Sequence, residues 1–209
     1  MNKKFIKLGS NLFVNWDPAE LTRLMPEVSN TETNLPFEKD TMAYWERHYT
    51  NVTIGRNFYK NFKQVAEEIA EKLVELQLKL KSSIKESNEL LDLFLEHNIN
   101  ANRITLFKTV PGENIHIHKD EVGTDVIRVL TINIGLKHSD QWKTYVTHQI
   151  KETEFWDSDP ESFLMEDGDV YLLRADKLHC AICLDPKRSV ESRYLVSYTM
   201  LMSTEKSLN

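Results

Sequence analysis

Apolar residues recur at Phe62, Val65, Ala66, Ile69, Leu73, Leu76 and Leu80, the three-and-four spacing of an amphipathic helix. A second helix is expected over residues 87–97. Upstream, Asp17-Pro18-Ala19-Glu20 reads as a helix start that runs to residue 25. Asp caps free backbone N–H groups, Pro fits the first turn and Glu20 sits at the third helical position. Residues 26–60 hold Pro26, Pro36, Gly55 and the aromatic cluster Tyr44, Trp45 and Tyr49 without a sustained period. An irregular segment lying across the core or a site mouth is expected there. After Asn102 the texture becomes that of strands, expected over 103–110, 114–118, 126–136, 142–148, 169–174, 179–184 and 193–201. Pro111-Gly112, Gly123, Asp167-Gly168 and Asp185-Pro186 supply the turns between them. Helices followed by a dense run of strands predict an α+β fold in which N-terminal helices support one face of a β-sandwich or barrel.

With 209 residues, 41% of them hydrophobic and 28% charged, the chain is long enough for one sizeable core and short for two ordinary domains. A single domain over 1–209 is expected, with 1–101 as helical support and irregular segment and 102–201 as the β core. The Glu67-Glu68 and Glu71-Lys72 pairs belong to a solvated helix face. The formal net charge of −6 gives no footprint for an extended nucleic acid, whose phosphates need clustered Lys and Arg. No run of about 18 apolar residues occurs, and the start Met-Asn-Lys-Lys-Phe-Ile-Lys lacks a signal-peptide core. No membrane association and a cytoplasmic location are the expectation. The only cysteines, Cys180 and Cys183, sit in an apolar run before Asp185-Pro186. A zinc site would need further ligands and a dithiol motif should open a helix, so they read as reduced thiols packed in a strand.

The most informative stretch is Asn114-Ile-His116-Ile-His118-Lys-Asp120-Glu121. In an extended strand, residues two apart share a face, so His116, His118 and Asp120 are expected to project together while Ile115 and Ile117 face the other way. Two such ligands and a distant histidine make a facial triad of two imidazoles and one carboxylate, with coordination positions left open. His179, at the start of a later apolar strand, is the candidate for the third ligand. A lone histidine is poor support for a metal site, and the joint pattern carries the weight. Arg193 heads the next strand. A guanidinium grips a carboxylate through two parallel hydrogen bonds, and alternation puts Leu195 and Ser197 on its side.

His118-Lys-Asp120, then His179, then Arg193 resemble the Fe(II)/2-oxoglutarate-dependent oxygenases, with that family's His-X-Asp/Glu, distal His and distal Arg in order and similar spacing. The match covers residues 102–201. It implies a double-stranded β-helix, a jelly-roll or cupin-like barrel, with N-terminal supporting helices. It also implies Fe(II) held by His118, Asp120 and His179, and the far carboxylate of the co-substrate 2-oxoglutarate held by Arg193 with Ser197 beside it. The implied reaction consumes O2, releases succinate and CO2, and hydroxylates a small molecule or an accessible side chain. Arg128 is similar to an arginine that some aspartyl/asparaginyl and free-proline hydroxylases carry after the metal motif, where it contacts co-substrate or substrate. Trp142, Tyr145 and the aromatic residues of 26–60 are candidates for orienting the substrate.

Two other readings stay open. His116, His118, Glu121 and His179 are similar to the two half-motifs of a cupin metalloenzyme that works without 2-oxoglutarate. That reading lacks the cupin's Pro-X-Gly, since Arg174-Ala175-Asp176 stands there, and Cys183 replaces the trailing Asn, while Arg193 goes unused. The other reading is a non-catalytic ligand-binding barrel. Iron-dependent succinate production separates the oxygenase from both.

Overall fold

The structure is a computed structural model and describes residues 3–12, 50–52, 59–83, 88–97, 103–109, 111–120, 127–185, 187 and 191–203. The helix expected at 17–25, most of the 26–60 segment, Glu121 and Arg188 lie outside these residues.

Among the described residues, two α-helices precede the main run of strands. Helix α1 (Tyr59–Ser83) buries Ile69, Leu73 and Leu76, and α2 (Glu89–Glu96) buries Leu90 and Phe94. Asn88 starts α2 by accepting from the backbone N–H groups of Leu90 at 3.0 Å and Leu91 at 3.4 Å, which satisfies two of the donors a helix N-terminus leaves free. At its other end the Gln77 side-chain amide donates to the carbonyls of Phe94 and His97, at 2.5 and 2.8 Å, so α1 caps α2 from the side.

Among the described residues, ten strands form two antiparallel sheets. They are β1 (Phe5–Gly9), β2 (Thr50–Val52), β3 (Arg103–Thr109), β4 (Ile115–His118), β5 (Ile127–Lys137), β6 (Trp142–Val146), β7 (Glu161–Leu164), β8 (Val170–Arg174), β9 (His179–Cys183) and β10 (Arg193–Ser203). The six-stranded sheet runs β1-β8-β5-β10-β3-β2 and the four-stranded sheet β4-β9-β6-β7. The expected barrel is thus seen as two sheets in an α+β, double-stranded β-helix-like arrangement. The short strands β1, β2 and β7 are additions to the expected set, each at a sheet edge.

Alternation along β5 and β10 divides the interior in two. Even-numbered residues Leu130, Ile132, Ile134, Leu136, Tyr194, Val196, Tyr198 and Met200 pack against Ile69, Leu73 and Phe94 of the helices. On the opposite face, Leu195 joins Leu173 and Tyr171 of β8 against Val146, Phe163 and Met165 from the second sheet. The helices therefore support one face of the large sheet, and the small sheet covers the other. Between the two sheets lies the cavity described below.

Gly135 marks a tight crossing at the end of β5. The turn after β7 passes over it, with Gly135 N–H donating to Asp169 O at 2.9 Å and Gly168 N–H donating to Gly135 O at 2.8 Å. A Cβ at this position would meet Glu166 O and Ser139 Oγ, both at 2.7 Å, and the first of these is backbone that cannot swing away. Gly135→Ala is expected to lower stability by about 1–3 kcal/mol, the usual cost of forcing atoms into a filled space. Thermal and urea unfolding measure it, and an unchanged midpoint would show that the turn relaxes freely.

Candidate metal centre

His118 ends β4, Asp120 lies two residues beyond, and His179 opens β9, the strand that pairs with β4. Direct pairing of His118 with His179 places their rings with centroids 4.2 Å apart. One ligand-capable atom from each of His118, Asp120 and His179 lies within 4.8 Å of the others, and His118 Nε2 is 3.7 Å from Asp120 Oδ1. Among the described residues this trio forms the one such cluster of potential metal ligands.

Backbone carbonyls orient both rings. His118 Nδ1 donates to His116 O at 2.7 Å, and His179 Nδ1 donates to Lys177 O at 2.8 Å. A carbonyl only accepts, so each Nδ1 carries a proton, and Nε2 is the ring nitrogen left to face a metal. Burial, reinforced by the nearby His179 and opposed by Asp120, pushes His118 down to about 4, so its imidazole is neutral at neutral pH. Asp120 is held by its backbone N–H, which donates to Ala175 O at 2.8 Å, and by a long 3.5 Å contact from Thr131 Oγ1 to its Oδ2.

His116 does not join its neighbours. Ile115 pairs with Ala181 and His118 with His179, so three residue steps on β4 oppose two on β9. This extra residue is a β-bulge, and it resets the alternation. Ile115 consequently lines the cavity with His118, whereas His116 is exposed and Ile117 packs on the cluster of Phe155, Leu178 and Cys180. The expectation that His116, His118 and Asp120 share one face fails at the bulge, and His116 stands outside the trio on which a cupin ligand set would draw. Glu121, the acidic member of that set, is outside the described residues.

The trio opens into a cavity of about 600 Å³, counting its open mouth. Arg193, Leu195 and Ser197 of β10 line it together, as alternation predicts. Arg193 is 2% exposed, and its Nε and Nη1 are buried without a hydrogen-bond partner among the described residues. Burial pulls its guanidinium down to about 10, which still leaves it charged at neutral pH. A buried, charged donor pair without an acceptor is costly, and an anion in the cavity would relieve that cost. Arg128 lies in β5 opposite Met202, and its side chain is outside the described part.

Neither proposed orienting aromatic lines this space. Trp142 is fully buried against Ala181 and Cys183, with its indole N–H donating to Glu113 O at 2.8 Å. Tyr145 has the opposite parity on β6 and meets Trp156 edge-on, ring centroids 5.2 Å apart. Among the described residues, Phe107 of β3 brings an aromatic side chain to the cavity wall, which Thr131 and Asn133 of β5 also line. Their signal was present in Val129-Leu-Thr131-Ile-Asn133-Ile, where polar residues alternate with apolar ones inside a buried strand. Cys180 and Cys183 are free and buried, and burial pushes the Cys180 thiol up to about 12.

The fold and the trio together define a class of protein: a two-sheet β-helix that gathers two oriented imidazoles and a carboxylate able to hold a metal ion. Among solved structures, the chain is similar to AviO1 from Streptomyces viridochromogenes Tue57, with a TM-score of 0.53 and 13% identity over 97% of this chain and 91% of that one. It is also similar to EvdMO1, with a TM-score of 0.51 and 12% identity over 95% of this chain and 47% of that one. An oxidoreductase of the 2OG-Fe(II) oxygenase family from Burkholderia pseudomallei matches over 51% of this chain at 16% identity and a TM-score of 0.36. The chain spans about half the length of the last two proteins, 47% and 48% respectively. At these identities the likeness to AviO1 and EvdMO1 shows the fold alone. No protein-family model matches the chain, and no curated protein matches it. Among the described residues, no helix is long and apolar enough to cross a membrane.

Proposed function

We propose that this chain is an Fe(II)- and 2-oxoglutarate-dependent oxygenase, in which His118, Asp120 and His179 hold the metal and Arg193 binds the far carboxylate of the co-substrate. The observation that carries the reading is the buried Arg193 guanidinium, with two uncommitted N–H donors in the wall of the same cavity as the trio. A metal site alone fits many functions, but a buried cation beside it asks for an anionic ligand.

The donor set fits the metal. Two imidazoles and one carboxylate are the ligands that suit Fe(II) in non-haem oxygenases, and three protein ligands leave room for a co-substrate and O2. Bound iron, with 2-oxoglutarate and O2, supplies the oxidation of a C–H bond, with succinate and CO2 as co-products. The chain's own residues do the rest. Lys177 O and His116 O keep the imidazoles turned toward the centre. Ser197 offers a hydroxyl on the same strand face as Arg193, with Leu195 between them. Ile115, Phe107, Leu173 and Leu195 give the cavity apolar walls that limit water around the reacting groups. Hydroxylation of a small molecule or an accessible side chain is the proposed outcome, carried by a chain of one domain acting in the cytoplasm.

The test is succinate release by the full-length protein with Fe(II), O2 and 2-oxoglutarate, screened against free amino acids, peptides and nucleosides. Substrate-stimulated succinate is the expected result. Metal binding with no turnover of 2-oxoglutarate under any condition would overturn the proposal.

A further inference from the structure

The two ligands Asp120 and His179 are steadied by one short piece of backbone. Residues Arg174-Ala175-Asp176-Lys177 make a tight turn between β8 and β9, closed by Lys177 N–H donating to Arg174 O at 3.1 Å. Ala175 O accepts the Asp120 N–H at 2.8 Å, and Lys177 O accepts the His179 Nδ1–H at 2.8 Å. Two ligands distant in sequence thus have their positions set by carbonyls two residues apart. Inside the turn, Arg174 and Asp176 form a two-pronged ion pair, Nε to Oδ1 at 2.8 Å and Nη2 to Oδ2 at 2.7 Å. Both side chains are largely withdrawn from solvent, at 13% and 22% exposure, which screens the pair less than a surface bridge. The fork raises the Arg174 pKa, chiefly through its hydrogen bond to Asp176. Arg174 is also tied through its backbone N–H to Lys4 O at 2.9 Å, so the turn is anchored to β1's end of the large sheet.

We infer that Arg174 and Asp176 are positioning residues that brace the metal centre, by fixing the turn whose carbonyls orient Asp120 and His179; this rests on the metal-centre reading above. A planar guanidinium and a carboxylate two residues apart lock the backbone between them. A lysine would make a point contact and leave the turn freer. Neither residue belongs to the trio of candidate ligands or lines the cavity. Their effect on it runs through the two carbonyls, and groups that orient ligands in this way typically change metal affinity when lost.

The experiment titrates the metal-free, full-length protein with Co(II), reading affinity and the visible absorption of the bound ion, alongside thermal unfolding of the metal-free form. Asp176→Asn removes the charge and one prong while keeping the shape. It is expected to weaken Co(II) binding by roughly 10- to 100-fold and to alter the Co(II) spectrum, with little change in the metal-free melting temperature. Arg174→Lys should fall between wild type and Asp176→Asn, and keeps the test open if the asparagine variant does not fold. Glu154→Gln, which breaks the exposed 3.2 Å pair with Lys151 and touches neither turn nor ligand, is the control and should leave Co(II) binding unchanged. Wild-type affinity and spectrum in both Asp176→Asn and Arg174→Lys would overturn the brace, and so would loss of melting temperature with metal binding intact. Failure of the wild-type protein to bind Co(II) would instead overturn the metal-centre reading on which the brace depends.

Discussion

Arg193→Ala is expected to retain its metal and to lose about 2–5 kcal/mol of 2-oxoglutarate binding, the usual cost of removing one partner from a buried, hydrogen-bonded charge pair. The separation follows from position. Arg193 shares the cavity with the metal-binding trio but offers it only cationic N–H groups, which do not ligate. Lysine at this place should restore only part of the binding, because an ammonium does not reproduce the planar fork. Truncation also removes a buried charge that has no partner among the described residues, so the free protein should gain stability as it loses affinity. Titration of the anaerobic Fe(II) protein with 2-oxoglutarate, followed by metal-to-ligand charge-transfer absorption, measures the first effect, and thermal unfolding measures the second. A variant that titrates like wild type would place the co-substrate anchor elsewhere. Arg188→Ala, in the stretch after Asp185-Pro186 that the sequence leads one to expect as a turn, should change little.

The larger effect on the centre itself is expected from its ligands. His118→Ala, Asp120→Ala and His179→Ala should each abolish stoichiometric Fe(II) binding, since two remaining side chains do not hold the ion with useful geometry. His116→Ala, which removes an exposed ring and leaves the carbonyl that accepts from His118 in place, should bind metal as wild type does. Metal content after gel filtration, with anaerobic titration for the affinities, separates these outcomes. Loss of metal in His116→Ala as complete as in His118→Ala, with retention in Asp120→Ala, would restore the cupin ligand set.

Much of the scaffold was legible because its signal is local. The apolar positions of α1 repeat at helical spacing, and the strands at 170–174, 179–183 and 193–203 are long or continuous apolar runs bounded by turn residues. What escaped were elements that depend on partners. Only Leu8 of the five residues in β1 is buried, and only Phe163 of the four in β7, so neither shows a pattern of its own. They exist as strands because β8 and β6 offer them a free edge. The same distinction governs the site. His118, Asp120 and His179 could be picked out by residue type and order, but the exclusion of His116 depends on a bulge created by the register with β9, which no spacing within 114–121 reveals. The roles of Lys177 O and Ala175 O were hidden for the same reason, because a carbonyl has no letter in the sequence.

The placement of β10 sets the timetable of folding. This strand pairs along most of its length with both β3 and β5, so that Ser197 lies opposite Thr105 on one side and Asn133 on the other. It occupies the middle of the large sheet although, among the described residues, it is the last strand in chain order. Pairings between residues so far apart carry a large loop-closure cost, which makes them slow to form. As the chain leaves the ribosome, β3 and β5 are complete while the strand that belongs between them is still unmade, and each has an open edge during that interval. Slow refolding, together with aggregation of chains interrupted before residue 193, is the kinetic consequence of building the sheet around the strand that arrives last.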